Sequence, residues 1–257
     1  MGYFTEKDIA IRYHKYRPYI HPKIIKKIKK LIKLVEPVNN ALDIACGTGQ
    51  STLALKSIAK HIIGIDISEA MLSQAVTDES IEYLCSPAEN IPFVDNAFNL
   101  ITVGLAMHWF DRTKFLTEAN RLLCKHGWLV VYNHGFSWRI KDNPDLKEKW
   151  APTFSERYPR PERNSQPITS EQAEIYGFEL CESVHHEIEV ESSFEYLVNH
   201  IATFSHVIAK IQKEEETLSE ATNWLMETIK PYFKNPSEIL IFEGPIWCLR
   251  KINDVRF

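Results

Sequence analysis

Two acids and two glycines are the residues in this chain whose types and spacing could do chemistry. Asp43 lies inside an apolar run, Ala41-Leu42-Asp43-Ile44-Ala45, that passes straight into Cys46-Gly47-Thr48-Gly49. Asp66 follows nineteen positions after Gly47, at the end of a second apolar run that starts at His61. Glycines let a backbone approach a ligand with no Cβ in the way. A helix start just after them offers unpaired N–H groups and the positive end of a dipole. An acid about 20 residues further on can accept from two ribose hydroxyls. The pattern is that of a nucleotide-binding half-unit. Asp43 is a separate matter, because a buried carboxylate without donors is costly. It needs partners, and glycine-turn amides or a ligand would supply them. Asp66 could also simply cap the next helix, although Ser68 is the better N-cap there.

Strand, turn, helix and strand must alternate to place these groups together. The apolar runs predict strands near 41–46, 61–66, 81–85, 98–104 and 127–134, and helices near 50–59, 69–76 and 112–123. Alternation of this kind argues for a parallel sheet. Ligands on such a sheet bind at the carboxyl ends of the strands, near the switch in strand order. After His134 the pattern breaks. Residues 137–170 are rich in Pro, aromatic and charged residues, among them Trp138, Trp150, Tyr158 and Pro161, and read as an inserted lid or substrate segment. A sixth strand is expected over 178–188, helices over 194–213 and 215–233, and a last strand over 239–252. The expected division is 1–36 as an N-terminal helical lid, 37–135 as the cofactor-binding core, 136–235 as a substrate and lid insertion holding one core strand, and 236–257 as the final edge strand.

A dinucleotide fingerprint would be G-x-G-x-x-G, but Thr52 stands at its third position. Asp43-x-Ala45-Cys46-Gly47-Thr48-Gly49 instead resembles the first motif of class I S-adenosylmethionine-dependent methyltransferases. Gly64-Ile65-Asp66-Ile67-Ser68-x-x-Met71-Leu72 resembles the second motif, and Ser86-Pro87-Ala88-Glu89-Asn90-Ile91-Pro92-Phe93 the adenine-side loop. Phe98-Asn99-Leu100-Ile101-Thr102, followed by Ala106-Met107-His108-Trp109-Phe110, resembles the fourth strand and its loop. Glu118-Ala119-x-Arg121-Leu122-Leu123-x-x-x-Gly127 resembles the following helix and strand entrance. The resemblance covers roughly residues 10–135. It implies a doubly wound, mostly parallel seven-stranded α/β sheet of Rossmann-like methyltransferase type with an inserted α-helical lid. The last strand of that fold returns antiparallel at the sheet edge.

The resemblance also implies roles. S-adenosylmethionine would be the cofactor and S-adenosylhomocysteine the product. Asp43, Ala45, Gly47 and Gly49 would hold its amino-acid part, Asp66 its ribose, and Ile67 and Met71 would flank its adenine. Ala88 would meet the adenine edge, and Gly104 would be a further cofactor-binding residue. Many relatives carry Asp just before that alanine, where this chain has Pro87; proline has no N–H and no acceptor side chain, so Ser86 or Glu89 would substitute. Tyr13-x-x-Tyr16-Arg17-Pro18, Ala-x-His-Trp-Phe and Thr203-Phe204-Ser205 are similar to the branch holding trans-aconitate methyltransferase-like proteins. There the N-terminal segment closes over the cofactor, which makes Tyr13 and Arg17 lid residues; Arg17 could pair with a carboxylate or be an exposed arginine before a helix. His108 would be a base or an acceptor-orienting donor, or else a pocket wall. Trp109, His134, Trp138, His200 and Ser205 would line the acceptor side. The implied reaction is O-methylation of a small molecule, a carboxylic acid or hydroxyl. Alternatives are C-methylation in quinone or polyketide biosynthesis, or cofactor binding without transfer.

The bulk numbers exclude little. Net charge is −4 over 257 residues, and the apolar fraction is 44%. Ten Lys or Arg fall in residues 1–35 against Glu6 and Asp8. From Lys23 to Val35 the apolar positions 24, 25, 28, 31, 32 and 35 share one helical face and lysines take the other. This helix would lie on an anionic surface or pack on the sheet with a solvated lysine face. Five scattered cysteines read as reduced thiols of a cytoplasmic protein. No signal peptide, stable membrane anchor, nucleic-acid motif or metal site is expected, since His185 and His186 are adjacent and would point to opposite strand faces. Oligomeric state is left open.

Overall fold

The computed structural model describes residues 3–252. In chain order the elements are α1 Lys7–Tyr16, α2 His21–Leu31, β1 Val38–Ile44, α3 Gln50–Ala54, β2 Ala59–Asp66, α4 Glu69–Leu72, β3 Ile81–Cys85, β4 Phe98–Gly104, α5 Arg112–Leu122, β5 Leu123–Tyr132, β6 Gly135–Ile140, α6 Ala151–Arg157, α7 Ser170–Ile175, β7 Phe178–Ser193, α8 Phe194–Ile201, α9 Ser205–Gln212, α10 Leu218–Ile229 and β8 Ser237–Lys251. The chain forms two compact units. The core unit comprises Tyr19–His134, Arg163–His186 and the chain from Gly244 onward; the second comprises the chain up to Pro18, Gly135–Glu162 and Glu187–Glu243.

The core unit holds the expected α/β sheet. Its order is β3-β2-β1-β4-β5-β8, parallel from β3 to β5, with β8 antiparallel to β5. β4 is an almost continuous apolar run, and β1 is buried from Ala41 to Ile44, because both faces of the sheet are covered there. Leu42, Ile44, Ile101, Val103, Leu129 and Val131 pack with Phe115, Leu116 and Ala119 of α5 and with Phe178 and Leu249. Strand order reverses between β1 and β4, which places a switch point at their carboxyl ends. On α2, Ile24, Ile25 and Ile28 are buried while Lys23, Lys26 and Lys30 are exposed. The helix stops at Leu31, so Val35 lies beyond it and is 83% exposed.

Several expected boundaries move, each for a local reason. β1 ends at Ile44, because Ala45 turns into the left-handed region at φ 55°. The helix expected over 50–59 is the short α3 followed by a 3-10 turn, and β2 already begins at Ala59. α4 stops at Leu72 rather than 76, since Val76 N–H donates to Thr48 O at 3.1 Å and Tyr83 Oη donates to Val76 O at 2.9 Å. β5 follows α5 with no linker. The helix expected over 194–213 breaks into α8 and α9, where Thr203 Oγ1 turns back on His200 O at 2.7 Å.

The described residues form eight strands, one more than expected. The addition is β6, in a stretch that reads as irregular, and it pairs antiparallel with β8 through Phe136↔Phe242 and Ile140↔Leu240 in the second unit. β8 is therefore not an edge strand: β5 pairs with residues 246–250, β6 with 240–243, and β7 pairs with it as well. The remaining second-unit residues fold as α1, α6 and α8–α10 around an aromatic cluster. Trp138 lies 4.7 Å from Phe154, and Trp150 5.9 Å from Trp224, between ring centroids. Arg157 pairs with Glu216 beside them. No helix among the described residues is long and apolar enough to cross a membrane. All five cysteines are free thiols.

Candidate functional site

The turn after β1 is built from left-handed residues. Ala45, Gly47 and Gly49 have φ of 55°, 56° and 74°. Leu105, just after the neighbouring β4, has φ 59°. Ala45 and Leu105 are non-glycine residues in a conformation that costs on the order of 1–3 kcal/mol each. They follow Ile44 and Gly104, at the ends of two strands paired in register through Ile44↔Val103. Two of the eight left-handed non-glycine residues among those described thus flank the switch point.

The glycines make room for side chains of the protein itself. A Cβ on Gly49 would lie 2.2 Å from Tyr83 Oη, and one on Gly47 3.1 Å from Met71 Cε. At Gly49 the space that a side chain would take is filled by Tyr83.

Asp43 is fully buried and takes three hydroxyl donors: Ser51 Oγ at 2.6 Å, Thr52 Oγ1 at 2.7 Å and Thr102 Oγ1 at 2.8 Å. These partners are side chains, where the sequence suggested glycine-turn amides or a ligand. The carboxylate ties the end of β1 to the start of α3 and to β4. Burial pushes its pKa up, and the three hydroxyls oppose that rise.

Asp66 stands at the end of β2 and is half-buried. Its Oδ2 accepts from Gly47 N–H at 2.8 Å and its Oδ1 from Ser68 N–H at 2.9 Å. Ser68 caps α4, as expected, accepting from Met71 N–H at 3.2 Å. Burial raises the Asp66 pKa, opposed by the backbone N–H groups of Ser68, Gly47 and Ile67. A carboxylate has about four lone-pair directions, and these contacts leave room for further donors. Ile67 is 73% exposed and Met71 is buried, so they occupy different surroundings.

The loop after β3 is braced from α5. Glu118 accepts from Ile91 N–H at 2.7 Å and pairs with Arg121 at 2.7 Å. Arg121 also donates to the carbonyls of Phe93 and Ile91 and pairs with Asp95 at 2.8 Å. Within the loop, Ser86 Oγ donates to Asn90 O at 3.2 Å, Ala88 is buried, and Glu89 accepts from Asp111 N–H at 3.0 Å. Gly104 leaves space that Tyr132 Oη would otherwise be denied, 2.9 Å from where a Cβ would stand.

His108 and Trp109 sit on a 3-10 turn, Met107–Trp109, with their rings 4.8 Å apart. His108 Nε2 meets Arg163 Nη1 at 3.1 Å. A guanidinium can only donate, so Nε2 accepts and the ring proton sits on Nδ1. His134 lies beside His21, with centroids 4.8 Å apart, and His21 Nδ1 contacts Tyr132 Oη at 3.1 Å. Burial pushes His21 down to about 4.

Tyr13, Arg17, Trp138, His200 and Ser205 all belong to the second unit. There they meet around Phe204: the Arg17 guanidinium lies 4.5 Å from the Tyr13 ring and 5.2 Å from Phe204, His200 5.0 Å and Trp138 5.7 Å from Phe204. Ser205 is buried at the start of α9. Sequence reasoning missed Ser51, Thr52, Thr102, Tyr83, Arg163 and His21. For Ser51 and Thr52, hydroxyls just after a glycine turn that follows an acid in a strand were the available signal. Thr102, Tyr83, Arg163 and His21 reach their partners only through tertiary packing. His185 is exposed and His186 buried, on alternate faces of β7.

Comparison with known proteins places this arrangement. Residues 42–131 match the family described as a methyltransferase domain. The chain is 38% identical over 109 residues to a demethylmenaquinone methyltransferase of Thermotoga maritima, covering 40% of this chain and 48% of that protein. It is 33% identical over 101 residues to a malonyl-[acyl-carrier protein] O-methyltransferase of Alcanivorax borkumensis, covering 37% of this chain and 35% of that protein. The chain spans about half the length, or less, of these curated relatives. A solved structure from Anaeromyxobacter dehalogenans, assigned as a type II methyltransferase, superposes with a TM-score of 0.69 at 21% identity, covering 88% of this chain and 96% of that one. Residues 42–131 are thus similar to a methyltransferase domain, and the chain shares the fold of that solved structure.

Proposed function

We propose that this chain transfers a methyl group from S-adenosylmethionine to a small organic molecule, O-methylating a carboxylic acid or hydroxyl. The observation that carries the reading is the Asp66–Gly47 contact at 2.8 Å. It joins an acid with acceptor capacity to a left-handed glycine turn, at the carboxyl end of the parallel sheet. That donor and acceptor set suits a nucleoside whose ribose donates and whose amino-acid tail needs backbone contacts. Asp66 would hold the ribose, the turn from Ala45 to Gly49 the amino-acid part, and the 86–90 loop the adenine side. The bound cofactor supplies an activated methyl group on a sulfonium.

The protein's own share is then orientation and exclusion of water. Asp43 shapes the turn from behind and is a positioning residue. His108, held by Arg163 through Nε2, would serve to orient an acceptor oxygen. A location in the cytoplasm and independence from nucleic acid are part of the same reading. The relative named for demethylmenaquinone supports a second reading, methylation of a ring acceptor in the manner of the C-methylating enzymes.

Calorimetric titration with S-adenosylmethionine and S-adenosylhomocysteine tests the cofactor, beside Asp66→Ala. Micromolar binding lost in the variant supports the proposal; absence of binding in the unmodified protein overturns it. Turnover of small organic acids against a demethylated quinone then separates the two acceptors.

A further inference from the structure

One helix of the core unit, α2, concentrates positive charge. Between Tyr19 and Glu36 stand six lysines, and Glu36 is the one acid. The whole chain has a net charge of −4, so this charge is local. No salt bridge among the described residues uses Lys26, Lys27, Lys29, Lys30 or Lys33. The elements packed against α2 do not neutralise it: α3 and the 3-10 turn Leu55–Ser57 contain no Asp or Glu.

The apolar side of α2 is committed to the core. Ile24, Ile25, Ile28 and Ile32 are all buried, so that face is closed to any partner. What the helix turns outward is charge. Lys23, Lys26 and Lys30 are exposed, and their spacing of three and four sets them in one line along the helix. Lys33 follows just past the helix end, at φ 51°. There Leu34 N–H donates to Lys29 O at 2.9 Å and Lys33 N–H to Lys30 O at 3.2 Å. A helix end of this kind favours glycine at the left-handed place; here it holds a fourth exposed lysine. The stripe is about 15 Å long. Tyr19, before the helix, is 50% exposed, and Val35, after it, 83%.

A solvated lysine face is the bland account of such a helix, but ordinary surfaces intersperse both signs. A field of one sign attracts an extended partner of the other. The residue types choose among such partners. α2 has no arginine, the residue of bidentate phosphate recognition, and no Phe, Tyr or Trp on which bases would stack. Lysine is a point charge on a flexible stem, suited to a diffuse anionic layer. Exposed Tyr and aliphatic groups suit the boundary between headgroups and acyl chains.

We propose that the lysine face of α2 docks the protein reversibly on an anionic lipid bilayer. Lys23, Lys26, Lys30 and Lys33 meet the headgroups, and Val35 reaches the interface beside them. The buried isoleucines keep α2 on the protein, so the helix rests on the surface without inserting. Each lysine close to an anionic leaflet strengthens binding roughly fivefold, and salt screens the attraction. The inference does not rest on the proposed function.

The test sediments the full chain with vesicles of phosphatidylserine and phosphatidylcholine, beside vesicles of phosphatidylcholine alone. Binding is expected to the first only and should weaken as salt is raised. Lys23→Gln, Lys26→Gln, Lys30→Gln and Lys33→Gln made together should weaken it about a hundredfold or more. Glutamine keeps the helix propensity of lysine, and all four side chains are exposed. The control replaces Lys125, Lys147, Lys230 and Lys234 by Gln; these are also exposed, change net charge equally, and should leave binding within about threefold. Val35→Ser should weaken vesicle binding and leave any binding to polyuridylate or polyglutamate unchanged. Equal binding to both vesicle types, or equal losses in the two quadruple variants, overturns the inference. Tighter binding to polyuridylate or polyglutamate than to the vesicles also overturns it, making the partner a nucleic acid or an acidic protein. Salt dependence and Val35→Ser decide the matter even if the α2 variant unfolds. Vesicle binding by a protein that takes no S-adenosylmethionine would sink the proposed function and leave this inference standing.

Discussion

The Asp66 carboxylate accepts the Gly47 backbone N–H at 2.8 Å, so the acid at the end of β2 fixes the turn at the end of β1. Ligand holding and turn geometry are coupled through one side chain. Weakening either should weaken the other. This is why the calorimetric control at Asp66 needs a companion that perturbs the turn alone.

Gly49 provides that companion. Gly49→Ala places a side chain at φ 74° and drives its Cβ to within 2.2 Å of Tyr83 Oη. Urea unfolding should register a loss of about 2–4 kcal/mol, combining backbone strain and overpacking. Tyr83→Leu made together with it should recover part of that loss. Strict additivity of the two changes would refute the idea that Tyr83 fills the space.

Asp43 should be a stability residue before it is a binding one. Asp43→Ala strands three buried hydroxyls and is expected to cost about 3–5 kcal/mol, by analogy with breaking a buried polar cluster. Asp43→Asn, isosteric and able to accept at one oxygen, should lose less than half as much. Equal losses in denaturant midpoints would contradict the three-hydroxyl account.

Glu118 predicts a pH signature. Burial acts to raise its pKa, but hydrogen bonds from Arg121 and Ile91 N–H, with the Arg121 charge, win and leave it lowered. A lowered acid contributes stability that is present above its unfolded value of about 4.3 and is lost as pH falls through the folded value. Glu118→Gln should therefore cost about 1–2 kcal/mol near neutrality, and the gap to the unmodified protein should close below pH ~4. A gap that persists in acid would show that the contact acts by packing alone. The same substitution should loosen the loop over 86–93, read as faster amide exchange.

His108 separates acceptor classes. A carboxylate acceptor is already ionised and needs no base, whereas a hydroxyl or ring carbon gains about 10²–10⁴-fold from one, a role His108 can take only when Nε2 leaves Arg163. His108→Ala should leave kcat for a carboxylic acid within about threefold, with any loss appearing in KM, and should cut kcat for a hydroxyl acceptor by about 10²-fold or more. Arg163→Met should release Nε2 and shift the pH–rate profile. No change at either substitution would make His108 a wall.

How much of this was legible in the residues follows from how locally each feature is encoded. β1 to β5 read cleanly because buried parallel strands are continuous apolar runs between turn signals. Asp43 announced itself as an acid in such a run, but its donors came from three hydroxyls, one of them fifty-nine positions away on β4. β6 was invisible: Gly135–Ile140 carries Gly, Ser and Arg among aromatics, and only pairing with β8 makes it a strand. The break between α8 and α9 was hidden inside a periodic apolar pattern. The residues Tyr13, Arg17, Trp138, His200 and Ser205 were chosen by resemblance from three distant stretches, and they share one unit around Phe204, which the sequence offered only as the middle of Thr203-Phe204-Ser205.

Five times the backbone passes from one compact unit to the other, at 18/19, 134/135, 162/163, 186/187 and 243/244. No single cut in the gene can separate them. Neither unit is a contiguous cassette that could be moved between proteins, deleted to leave the other whole, or finished first as the chain leaves the ribosome. Both must await the last strand, β8, whose two halves are divided between them. A nonsense change upstream of Ser237 would thus cost both units and not merely the one it falls in.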